Sequence, residues 1–217
     1  MFAFFALSTV LVFVLIQCVV SRGRSVPAPR PAAASNPSTV AGFEMRDDVR
    51  FHPGHTWARD VAPGVVDVGV DDFAARLLGG AGRVDLPSIG SRLAQGARAF
   101  TVRAGPGRTA DLVSPVGGEV VAVNPRLAGD PALATRAPYD AGWLCRVRCD
   151  DVARDAKHLV DGPLAARWTE SAADELDFEI DSLLQWGCRD GGQLVADYGS
   201  RLDRASWRRL VSRFLLT

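Results

Sequence analysis

Few side chains in this sequence are equipped for chemistry, and their spacing narrows the choice further. Of 25 basic residues only Lys157 is a lysine, so any lysine-based modification has a single address. His52 and His55 form an HxxH pair. On a strand or loop, without a carboxylate or third histidine, that is a poor metal template, and the pair reads as structural or surface. Cys145 and Cys149 fall in one expected strand, WLCRVRC. Period two puts them on the same face, where no disulfide closes without bending the strand, so they read as small buried apolar residues. A lone CxxxC is weak for zinc, and free thiols fit a reducing compartment. No Ser/His/Asp or Cys/His spacing supplies a nucleophile. Gly105-Pro106-Gly107 lacks the Lys-Ser/Thr that follows in a phosphate loop. The expectation is no catalytic residue, no metal site and no enzyme.

What remains is a turn. In TVRAGPGRTADLV two β-like runs flank residues 104–108. Pro106 presets φ at the first central position, and Gly107 supplies the positive φ that a type II turn needs at the second. The tip reads as a stiff reverse turn. Arg108 follows it, and a guanidinium stays protonated and does not acylate as an amine does.

The elements around this turn divide the chain into four. Residues 1–20, MFAFFALSTVLVFVLIQCVV, carry no charge. As a helix rising about 1.5 Å per residue they reach roughly 30 Å, the thickness of a bilayer core. The segment lacks the basic start that a signal peptide carries before its apolar run. Arg22, Arg24 and Arg30 follow it, which places the rest of the chain in the cytoplasm by the positive-inside rule. The expectation is a single-pass protein of the inner (cytoplasmic) membrane, in contact with the lipid bilayer through residues 1–20. Residues 21–42, rich in Pro and Ala, read as an extended tether in which nothing needs to fold.

From residue 43 to 168, short alternating runs broken by Gly and Pro argue for a mainly β sandwich or barrel. HTWARD and GVVDVGV straddle a Pro63-Gly64 turn, with His55 and Trp57 on one strand face. Asp71 or Asp72 caps a short helix ended by Gly79 and Gly80. Residues 169–217 read as a helical extension. Thr169 or Ser171 caps an acidic helix, with Asp174 completing a capping box from Ser171. The last helix places Trp207, Leu210, Val211, Phe214 and Leu215 on one face and Arg208, Arg209 and Arg213 elsewhere. That face has two possible uses. It docks on the domain, or it makes a second membrane or partner contact through residues 201–217. A formal net charge of zero gives no sign of a nucleic-acid partner.

Five segments, HTW, VGVDDFA, VDLPSIG, SPVGGEVVAVN and PYDAGWLCRV, occur in order from about residue 51. Together with the run to Trp168 they resemble the glycine cleavage system H-protein. The resemblance implies a lipoyl-type hybrid fold of two small sheets with short helices. It also implies a carrier lysine at a hairpin tip, bearing lipoate through an amide. Counting back from Ser114-Pro115-Val116, with Asp111 on the family's aspartate, the lysine position falls on Gly107. It falls on Arg108 if the register slips by one, and the usual glutamate falls on Ala104. Lipoate is therefore not expected, and no cofactor is. Lys157, in DAKHLVD, reads as an ordinary solvated lysine. The leading expectation is a membrane-anchored, non-lipoylated H-protein-like module that binds or scaffolds an unknown protein partner. One alternative is a genuine carrier of glycine cleavage or a related lipoate-dependent system with altered chemistry. The other is an adaptor subunit of an export system, although the chain has no sustained heptads.

Overall fold

The computed structural model describes residues 36–183, 189–190 and 193–216. The expected membrane span and most of the expected tether lie outside the described residues. Among the described residues no helix is long and apolar enough to cross a membrane.

The described chain opens with a hairpin, β1 (Pro37–Val40) and β2 (Phe43–Arg46). Its two turn residues, Ala41 and Gly42, take φ of 48° and 86°, the sign a two-residue hairpin turn requires. This corrects the expectation that the tether runs unfolded to residue 42. Pro37 is tolerated because it opens an edge strand, and Phe43 draws the hairpin onto the domain. The Phe43 ring lies 4.9 Å from Phe73, and the Glu44 amide donates to Asp72 Oδ2 at 2.8 Å.

β3 (Arg50–His52), β4 (Thr56–Ala62) and β5 (Val65–Val70) form an antiparallel meander, with the expected turn at Pro63 and Gly64. α1 (Asp72–Leu78) follows at once. The Asp71 carboxylate accepts the Ala74 amide at 2.8 Å, and Gly79 ends the helix in the left-handed region at φ 69°. Then come β6 (Arg83–Asp85), β7 (Arg92–Leu93), β8 (Arg98–Gly105), β9 (Arg108–Val113) and β10 (Gly118–Val123). The segment expected to be irregular holds a 3-10 turn (Pro125–Ala128) and a short α2 (Leu133–Arg136) before β11 (Cys145–Cys149). α3 (Val152–Ala156) leads to α4 (Gly162–Ser182). The remainder is β12 (Arg189–Asp190), β13 (Gln193–Leu194), α5 (Tyr198–Arg201) and α6 (Arg204–Phe214).

Two sheets carry the domain: six strands in the order β3-β4-β5-β11-β10-β7, and three in the order β6-β8-β9. The main core collects Val66, Val68, Phe100, Val102, Leu112 and Val147 from both sheets and Leu77 and Leu78 from α1. Trp57, Phe51, Met45 and Tyr139 form a second, smaller core. Gly69 is needed there, since a Cβ would stand 2.4 Å from the Trp57 indole.

α4 is one continuous helix that begins after Asp161, whose side chain makes no capping bond, and not a helix starting at Thr169 or Ser171. The expected domain boundary at 168/169 therefore falls inside a helix. After Pro163 in the first turn nothing interrupts the helical run, and Ala165, Thr169, Ala172, Ala173, Leu176 and Ile180 make one unbroken buried face. In α6 the apolar face packs on the domain. Trp207, Leu210, Val211, Phe214 and Leu215 are all in the main core. Arg209 and Arg213 reach Glu179 and Glu175 of α4. The face on which a second membrane contact through residues 201–217 would depend is thus already buried, because protein supplies the apolar surface it needs.

The hairpin tip as candidate functional site

The tip forms where β8 and β9 pair with Gly105 opposite Arg108, leaving Pro106 and Gly107 as the two turn residues. Gly107 takes φ 70°, the positive value expected from its sequence position. Both turn residues are exposed. Behind the tip, Thr101 Oγ1 donates to Asp111 Oδ1 at 2.6 Å, and Arg98 pairs with Asp111 Oδ2 at 2.9 Å. The hairpin is therefore stiffened across its strands as well as at its turn. Among positions 98–113 there is no lysine.

Arg108 turns away from solvent toward the C-terminal segment. One guanidinium nitrogen donates to the Gly199 carbonyl at 2.9 Å, and the other donates to the Leu202 carbonyl. Its carbon sits 5.8 Å from the Trp207 ring. These carbonyls end α5, where main-chain acceptors lack helical partners, and a cation is the natural complement. The segment that receives Arg108 is itself pinned. Trp207 Nε1 donates to the Leu77 carbonyl at 3.0 Å. Gly79 and Gly199 let α1 and α5 touch through backbone: a Cβ on Gly79 would stand 2.3 Å from the Ser200 nitrogen, and one on Gly199 2.2 Å from the Leu77 oxygen. None of this was visible in the sequence. Arg108 and its acceptors lie 91 and 94 positions apart, and carbonyls carry no residue-type signal.

The loop after β9 is built for shape. Ser114 Oγ donates to the Val116 carbonyl at 2.7 Å, and the buried Asp155 carboxylate accepts the Gly117 amide at 2.7 Å. Gly118 leaves no room for a Cβ, which would lie 2.1 Å from the Arg148 carbonyl oxygen.

The other candidates are dispersed. His55 is not on the β4 face with Trp57; it precedes the strand, at φ 57°. Its ring stacks on Phe73 at 4.1 Å, with Trp168 4.7 Å away. Its Nδ1 lies 2.8 Å from Asp71 Oδ2, the bond that an Nδ1–H tautomer makes to a carboxylate. His52 Nδ1 accepts the Gly54 amide at 3.0 Å, and burial, then His158 and His55, hold its pKa below the usual value. No group of three or more His, Cys, Asp or Glu among the described residues is placed to hold a metal. Cys145 and Cys149 are free, and burial raises both thiols, Cys149 to about 12. Lys157 ends α3, exposed, its amide bonded to the Arg154 carbonyl at 3.2 Å.

Two small antiparallel sheets over a shared core, with a two-residue hairpin tip at one edge, define a lipoyl-type domain. The family model described as Glycine cleavage H-protein matches residues 49–171, and the chain belongs to that family. The glycine cleavage system H protein of Edwardsiella ictaluri (strain 93-146) is 41% identical over 123 residues, covering 55% of this chain and 93% of the relative. That of Aeromonas salmonicida (strain A449) is 39% identical over 115 residues, covering 52% and 86%. Among solved structures, a glycine cleavage system H protein from Mycobacterium marinum matches with a TM-score of 0.50 and 27% identity, covering 58% of this chain and 98% of that one. The β1–β2 hairpin, the second half of α4 and everything after it lie outside the matched span.

Proposed function

We propose that the chain is a membrane-tethered H-protein-like module that carries no lipoyl arm and works by binding or organising other proteins. The observation that carries this reading is the tip. At the position the resemblance assigns to the carrier lysine stands Gly107, in a turn whose left-handed φ suits glycine. The neighbouring Arg108 is a guanidinium committed to the C-terminal segment. Neither forms the amide that lipoate requires. Lys157, the one lysine, sits at a helix end and not on a hairpin tip. The tether rests on residues 1–20, uncharged and followed by Arg22, Arg24 and Arg30, and the same arginines argue for a cytoplasmic domain at the inner membrane.

Intact-mass measurement of the chain purified from lipoate-fed cells tests the first half. The expected mass is that of the unmodified polypeptide, and a lipoyl adduct overturns the reading. For the second half, a C-terminal reporter active only in the cytoplasm is expected to work, with the chain recovered in the membrane fraction. A reporter active only in the periplasm reverses the orientation.

A further inference from the structure

We propose that the C-terminal segment is a built-in partner for the β8–β9 tip. α5 and the first turn of α6 lie against one flank of the hairpin. They also bring the Arg204 guanidinium beside position 107. The inference rests on the reading of the tip above and adds what now lies beside it.

Three observations carry it. Arg108 spends its guanidinium on the carbonyls of Gly199 and Leu202, so tip and segment satisfy each other. The segment is not a loose strap: Trp207 is buried and bonded to the Leu77 carbonyl, and the Gly79–Gly199 approach is backbone on backbone. The third is charge. A Cβ built on Gly107 would lie 2.8 Å from the Arg204 guanidinium, so the mobile end of an exposed cation stands beside this position. The apex itself, Pro106 and Gly107, stays in solvent. What the segment takes is one flank, and its Arg204 joins Arg108 to put two positive charges beside a position that would hold an ammonium.

Restoring the lysine is then not enough to restore an arm. The test is the full chain in detergent with Ala104→Glu and Gly107→Lys, treated with a lipoate–protein ligase, ATP and lipoate, and followed by intact mass beside a relative's H-protein. Modification is expected about tenfold or more slower than in the control, and adding Arg108→Ala and Arg204→Ala is expected to recover about tenfold. Each variant is first checked for cooperative urea unfolding. If Arg108→Ala loosens the fold, Arg204→Ala, which removes an exposed side chain, carries the comparison alone. The proposal falls if the lysine variant is modified at the control rate, or if removing the arginines from a folded chain gains nothing. Lipoylation of the wild-type chain would instead strike the proposed function, so the two failures are distinguishable.

Discussion

Gly64 and Gly79 share a φ of 69° and differ in what surrounds them. A Cβ on Gly64 meets nothing within 4 Å, whereas one on Gly79 runs into the backbone of α5. Gly64→Ala should therefore cost only the left-handed penalty, about 1–2 kcal/mol. Gly79→Ala should cost about 2 kcal/mol more, because α5 must move off α1. Urea titration of the two variants reads the difference directly. His52 gives a second test at this scale. Its pKa is lowered in the folded chain by burial, then by His158 and His55. As pH falls below about 6.5 the unfolded chain takes up the proton first, so stability declines from there toward the depressed folded-state value. Asn at position 52 can accept the Gly54 amide through Oδ1 and does not titrate. His52→Asn should flatten this part of the profile, measured as the urea midpoint between about pH 5 and 7.5.

α6 shows what docks an element in this protein. Its ion pairs to α4 join exposed arginines to Glu175 and to the buried Glu179, and the solvent-exposed Arg213–Glu175 pair contributes about 0.2–1 kcal/mol. Its buried face contributes more, centred on Trp207. Trp207→Phe keeps most of the ring and gives up the bond to the Leu77 carbonyl, for an expected loss of about 1–3 kcal/mol. Trp207→Ala should cost about 3–5 kcal/mol. Screening the ion pairs with molar salt should move the thermal midpoint far less than either substitution. The sequence announced this face through spacing alone, since Trp207, Leu210, Val211 and Phe214 recur at helical intervals. It left open which apolar surface would cover the face, because hydropathy does not distinguish lipid from a protein core.

At the scale of the molecule, the family match stops at residue 171, in mid-helix. Beyond it Leu176, Ile180, Tyr198, Leu202, Trp207, Leu210 and Phe214 all enter the main core. Without them the surface they cover on the sheets and α1 would face water, at a gross cost of about 1.5–3 kcal/mol for each side chain lost, offset in part by the segment no longer being ordered. A chain ended after residue 171 is therefore expected to lose its cooperative thermal transition, followed by circular dichroism, even though it retains the full matched span. Cooperative melting of that shorter chain would mean that the C-terminal helices merely decorate a self-sufficient domain.

Much of the protein was legible because much of it is local. The turn at Pro63 and Gly64, the Asp71 cap, the Gly79 stop and the rigid tip at Pro106 and Gly107 each follow from the φ preference or side-chain reach of one or two residues. The same local logic misplaced the start of α4, since Thr169 and Ser171 are good caps only where no helix is already running. It also missed β1, whose pairing depends on Phe43 finding Phe73. Sequence alone shows that positions 98–113 hold no lysine and that Pro106-Gly107 favours a tight turn. Only the tertiary structure decided that Arg108 beside the tip is held by the C-terminal segment, because its partners are main-chain carbonyls far along the chain, and an acceptor that every residue possesses leaves no mark in the sequence.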